Sequence, residues 1–139
     1  MEEEIKRALA SAALEARKQA YCPYSHFAVG TALLTADGDI VTGCNVECAS
    51  YGGTNCAERT AIFRAIAAGT RNFSALAIAG GVEGVEPEAF CPPCGICRQV
   101  LAEFCGEDFP ILLVKSERER QEYTLGQLLP AAFGPGVMG

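Results

Sequence analysis

A chain of 139 residues, 50% hydrophobic and 20% charged, is long enough to bury a core of its own, which excludes a disordered chain and any need for a metal merely to hold the fold together. Its net charge of −6, with 11 scattered basic residues, argues against a nucleic-acid partner and favours small neutral or cationic ligands. No apolar run approaches membrane-spanning length, and Met1-Glu2-Glu3-Glu4 is acidic where an export signal is basic, so the expected setting is the cytoplasm with no membrane partner.

In chain order, Ile5, Ala8, Leu9, Ala12, Ala13, Ala16 and Ala20 recur at helical spacing, with acids at the start and Arg17-Lys18 near the end to complement the helix dipole. Pro23 ends this helix. Residues 27–35 read as a buried strand, 36–39 as a hairpin turn and 40–46 as the returning strand. A second helix carries Ala57, Ala61, Ile62, Ala65 and Ile66 and stops at Gly69. Residues 74–80 suit a central strand, and 81–93, rich in Gly, Glu and Pro, form a loop. A third helix spans 95–104, a buried strand 111–114, a last strand 123–125 and a short helix 125–129, with a loose tail over 134–139. This order describes one α/β domain over residues 1–139, a sheet with helices on its faces.

The chemistry is concentrated in two stretches, Thr54-Asn55-Cys56-Ala57-Glu58-Arg59-Thr60 and Cys91-Pro92-Pro93-Cys94-Gly95-Ile96-Cys97-Arg98. Cys56, Cys94 and Cys97 supply three soft ligands, and Glu58 a carboxylate left unligated. Structural zinc is closed by four protein ligands, whereas catalytic zinc keeps three and leaves a place for water. Residues two apart do not share a helix face, so the arrangement requires Cys56 at a helix cap, with two helix N-termini meeting at the metal. Free N–H groups and dipole ends there favour thiolates. Three thiolates leave excess negative charge, and Arg59 or Arg98, each next to a motif, can offset it by bonding a ligand sulfur. The rival is a closed four-cysteine site that includes Cys91, against which Pro92-Pro93 argues by holding Cys91 in an extended segment. Cys22, Cys44, Cys48 and Cys105 read as packed or idle thiols, and His26, the only histidine, as a structural turn residue.

A Cys or His ligand, a non-ligating Glu and a later Pro-Cys-x-x-Cys make up a known signature of zinc deaminases. The chain closely resembles the cytidine deaminases of pyrimidine nucleoside salvage, of the small homotetrameric kind. Beyond the two motifs, the likeness includes Tyr24-Ser25-His26-Phe27-Ala28-Val29-Gly30, Gly43-Cys44-Asn45-Val46-Glu47, Ala49-Ser50-Tyr51-Gly52 and Leu128-Leu129-Pro130-Ala131-Ala132-Phe133. The resemblance implies a three-layer α/β/α fold with a mixed five-stranded sheet, and Zn2+ on Cys56, Cys94 and Cys97. It further implies hydrolytic loss of ammonia from cytidine or deoxycytidine, with Glu58 carrying the protons and Arg59 supporting a ligand sulfur. By the same resemblance, Phe27 packs on the pyrimidine, Asn45 and Glu47 hold the ribose, and Ala57 is a further substrate contact. Tyr51 and Phe133 reach into a neighbouring subunit's site. Cys48 stands where the family usually has Asn and Gly53 where a larger apolar residue is common, departures that bear on the orientation of Glu47 and on the loop before Cys56. Two alternatives remain open here: a related deaminase of aminopyrimidine nucleosides of the blasticidin S type, and a non-catalytic zinc-binding interaction domain.

Overall fold

A computed structural model describes residues 1–138. The elements are α1 (Glu3–Ala16), β1 (Phe27–Thr35), β2 (Ile40–Cys44), α2 (Ala57–Ala67), β3 (Phe73–Val82), α3 (Gly95–Phe104), β4 (Pro110–Val114), β5 (Arg120–Thr124), α4 (Leu125–Leu128) and α5 (Pro135–Met138). The strands form one mixed sheet in the order β2-β1-β3-β4-β5, in which β3 and β4 are parallel and the other pairs antiparallel. A parallel pair needs a crossover, and α3 provides it.

Strand alternation divides the core in two. On β3, Ala75, Ala77 and Ala79 turn to one face and pack with Leu9, Ala10 and Ala13 of α1, while Leu76 and Ile78 turn to the other and pack with Ala61 and Ile62 of α2 and Leu101 of α3. The result is three layers, with α1 on one side of the sheet and α2 and α3 on the other. Small residues let the helices close in. A Cβ at Gly30 would stand 2.1 Å from the Ala13 carbonyl oxygen, and one at Gly43 would stand 2.4 Å from that of Ala57. The buried Thr31 hydroxyl also donates to the Ala57 oxygen at 2.9 Å, so the first residue of α2 is pinned to the middle of the sheet.

The expected elements are present, with shifted ends. The first helix ends at Ala16, not Ala20, and a short 3-10 turn follows over Arg17–Gln19. Arg17, expected to complement the dipole near the end of the helix, is buried, and its side chain bonds the carbonyls of Ala28, Val82 and Val85. Strand β2 ends at Cys44, and Val46 makes isolated bridges to Tyr21 and Asn55. Strand β5 begins at Arg120, where the polar sequence 117–122 gave no apolar alternation. In the tail, α5 gives one helical turn where a loose segment was expected, and Gly139 lies outside the described residues.

Candidate metal and active site

Cys56 is the extended cap residue of α2, with φ −70° and ψ 155°, and Cys94 the extended cap residue of α3, with φ −67° and ψ 165°. Each therefore keeps its side chain outside the helical spiral. The fully buried Cys97 follows in the first turn of α3, and its backbone N–H donates to the Cys94 sulfur at 3.4 Å. The cap of α2 is held from several sides: Val46 and Asn55 exchange backbone hydrogen bonds of 2.9 Å, and the Thr60 hydroxyl bonds the Cys56 oxygen at 3.2 Å. On α3, Arg98 Nε donates to the Pro93 oxygen at 2.8 Å and Nη1 to the Leu128 oxygen at 2.6 Å. Arg98 thus anchors the approach to the cysteines and does not bond a sulfur.

The Sγ atoms of Cys56, Cys94 and Cys97 all lie within 4.8 Å of one another, and neither Cys91 nor Glu58 joins that cluster. The Cys56 and Cys94 sulfurs are 3.7 Å apart. A tetrahedral zinc with Zn–S bonds of about 2.3 Å needs an S···S edge of roughly 3.8 Å, so the donors fit that ion without rearrangement of this pair. The Arg59 guanidinium donates to Cys56 Sγ at 3.3 Å, while its Nε is buried without a partner. The hydrogen bond from Cys97, with help from Arg59 and Cys94, brings the Cys56 thiol down to about 5 against the effect of burial. Its bond to Cys56, together with burial, holds the Cys97 thiol up. Burial pushes Cys91 up to about 11, and the charges of Glu58 and Cys56 act in the same direction. Cys91 therefore stands close by as a neutral thiol. Glu58 is buried, with 4% of its surface exposed, and burial raises its carboxyl above the ordinary range. A carboxyl poised in this way suits proton transfer more than metal ligation.

Gly80 opens the floor beside the cysteines, since a Cβ there would stand 2.8 Å from Cys91 Sγ and 3.1 Å from the Phe27 ring. An apolar cavity of about 350 Å³ lies next to it, lined in part by Phe27, Val82, Phe90, Cys91 and Pro92. The Asn45 side chain accepts from Val29 N at 2.9 Å and donates to the Phe27 oxygen at 2.8 Å, fixing the start of β1. One carboxylate oxygen of Glu47 accepts from Tyr24 N at 2.9 Å and Ser25 N at 3.1 Å, and the other accepts from the Ser25 hydroxyl. That hydroxyl leads in holding the Glu47 carboxyl below its usual range. The fold thus brings Phe27, Asn45 and Glu47 together, with Ala57 fully buried at the head of α2. It leaves the rings of Tyr51 and Phe133 in solvent, 76% and 57% exposed. Gln99 Nε2 of α3 ties down the Phe133 backbone oxygen at 2.7 Å. Cys48 and Gly53 face each other, and a Cβ at Gly53 would stand 3.3 Å from Cys48 Sγ. The cysteine occupies space that a larger residue at 53 would take, so the two departures from the family pattern share one contact. Sequence reasoning missed Ser25 as the support of Glu47 and Thr31 as the anchor of α2. A Thr in the middle of an apolar run, between Gly30 and Ala32, was the only signal for the latter.

Three cysteine sulfurs gathered at two helix N-termini, beside a buried glutamate outside their cluster in a mixed α/β fold, define the class of zinc-binding deaminases. Residues 3–113 match the family model described as the cytidine and deoxycytidylate deaminase zinc-binding region. The chain is 50% identical over 119 residues to a cytidine deaminase of Sporosarcina psychrophila, covering 86% of this chain and 84% of that one. Against a cytidine deaminase of Halalkalibacterium halodurans, it is 46% identical over 128 residues, covering 92% and 93%. A crystal structure of cytidine deaminase from Burkholderia pseudomallei superposes with a TM-score of 0.82 at 48% identity, covering 91% of this chain and 97% of that one. The chain belongs to the cytidine deaminase family.

Proposed function

We propose that this chain, acting as a single domain, converts cytidine and deoxycytidine to uridine and deoxyuridine with release of ammonia, in the salvage of pyrimidine nucleosides. The observation that carries the reading is the cluster of three cysteine sulfurs with the buried, unligated Glu58 two residues beyond the first of them. Cys56, Cys94 and Cys97 hold the zinc, which when bound supplies a Lewis acid and a water of lowered pKa. Glu58 takes the attacking water's first proton and delivers it to the ring nitrogen beside the reacting carbon. It then takes the second proton from the new hydroxyl group and gives it to the amine as the C–N bond breaks, so that a carbonyl forms and ammonia leaves. Arg59 bonds the Cys56 sulfur and offsets part of the thiolate charge. Phe27 packs on the pyrimidine, Asn45 and Glu47 take the ribose, and Ala57 lines the site. The names of the relatives favour cytidine over a blasticidin-type substrate, and a raised, buried carboxyl beside the cluster gives a non-catalytic zinc domain no evident use for it.

Substrate choice tests this reading. Glu47 near the sugar and a net charge of −6 disfavour a phosphate, so cytidine should exceed its 5′-monophosphate in kcat/KM by at least about tenfold, the equivalent of roughly 1.4 kcal/mol. Equal specificity constants would count against the placement of Glu47 at the sugar.

The active protein is proposed to be a cytoplasmic homotetramer with no nucleic-acid partner, in which Tyr51 and Phe133 complete sites on neighbouring chains. The support is the exposure of both rings, which a nucleoside pocket would need to cover. Among the described residues, no helix is long and apolar enough to cross a membrane. Glu58→Ala and Phe133→Ala oligomers should each be crippled. Refolded together, they should recover activity well above the mean of the two, because some sites then combine an intact Glu58 with an intact Phe133. No recovery would assign Phe133 to its own chain's site.

A further inference from the structure

Arg17 is a buried cation whose assigned hydrogen bonds all go to carbonyl oxygens. Its Nε donates to Ala28 O at 3.0 Å, and its Nη2 to Val82 O at 3.1 Å and Val85 O at 3.0 Å. The guanidinium fits because position 81 is glycine, where a Cβ would stand 3.2 Å from Nη2. Val82 pairs with Phe27 across the sheet, so the clamp closes on the row where β1 begins. From the clamped turn, Glu83 reaches the 22–26 loop three ways. Its backbone N–H donates to His26 O at 2.8 Å, one carboxylate oxygen accepts from Cys22 Sγ at 3.5 Å, and the other lies 3.8 Å from His26 Nδ1. His26 sits at φ 57°, a conformation that a non-glycine residue keeps only when its surroundings hold it. The same loop supplies every hydrogen bond assigned to the Glu47 carboxylate, and the Ser25 hydroxyl also accepts from Phe27 N at 3.0 Å.

We propose that Arg17 and Glu83 are positioning residues for nucleoside binding: Arg17 fixes the 82–85 turn, and through Glu83 that turn fixes the loop that sets Glu47 and Phe27. Neither residue belongs to the cysteine cluster, so the effect falls on binding and not on the metal. The inference rests on the deaminase reading above.

Steady-state kinetics with cytidine on the zinc-loaded oligomer test it, with zinc content and melting temperature measured alongside. Glu83→Ala should raise KM about three- to tenfold, as expected for lost hydrogen bonds, with kcat within about twofold and zinc unchanged, and Glu83→Gln should restore most of the loss. Arg17→Met should raise KM about tenfold or more, because it strands the buried Ala28 carbonyl and releases the 82–85 turn, and Arg17→Lys should fall between. The double variant Arg17→Met/Glu83→Ala should match Arg17→Met alone, since both act along one path. If Arg17→Met does not fold, the exposed Glu83 pair decides. An active wild type whose KM is unmoved by Glu83→Ala overturns the inference, as do multiplying effects in the double variant or a fall in kcat with loss of zinc. A zinc-loaded wild type that releases no ammonia from cytidine removes the functional reading itself, and the inference with it.

Discussion

Glu58→Gln should keep one zinc per chain and lose activity by at least about 10²- to 10⁴-fold, the range expected for a general acid–base group, with a larger loss if one carboxyl serves several proton transfers. The substitution keeps the shape of the side chain and removes its ability to exchange protons. Glu58 lies outside the cluster of sulfurs, so metal content should not change. Burial, which raises this carboxyl, also means that solvent cannot readily replace it as a proton carrier. Zinc analysis and kcat on the same preparation check the prediction. Loss of zinc would make Glu58 a ligand, and an undiminished rate would leave the reaction without its proton carrier.

Cys97→Ala should abolish both zinc binding and activity. Cys97 is fully buried, its Sγ lies within 4.8 Å of the other two sulfurs and its backbone N–H donates to that of Cys94, so its removal leaves two donors where the ion needs three. The fold should survive, because the clusters on both faces of the sheet are apolar and continuous without the metal. Cys91→Ala supplies the contrast. That thiol is close to the site but outside the sulfur cluster, so zinc content and rate should stay near those of the parent. Metal analysis of the two variants, with circular dichroism to verify folding, separates the open three-cysteine site from a closed four-cysteine one, since zinc loss in Cys91→Ala would support the closed site.

Where apolar periodicity was strong, the sequence was sufficient to place elements: Phe27–Thr35 and Gly95–Phe104 have the bounds that their patterns predict. The polar edge strand β5 was shortened because an edge need not bury alternate residues. The positions of Cys56 and Cys94 at helix caps followed from an argument about geometry, since Cys and Glu two apart cannot share a helix face. Arginine roles were harder to read, because a guanidinium on a long side chain bonds whatever the tertiary fold brings within reach. Arg59 meets a sulfur three residues away along the chain, and Arg98 meets carbonyls on either side of α3. Arg17, which resembles an ordinary helix-end cation in sequence, is buried because Gly30 draws α1 onto the sheet and Gly81 leaves room for its head group. The contact between Cys48 and Gly53 depends on a loop closure between Val46 and Asn55 that no local pattern announced.

Ammonia release from cytidine by the zinc-loaded protein, followed before and after removal of the metal by a chelator, tests the account most directly. The expected result is uridine and ammonia in equal amounts, loss of both on metal removal, and recovery when zinc is returned. A folded protein holding one zinc per chain that releases no ammonia from cytidine or deoxycytidine would contradict it.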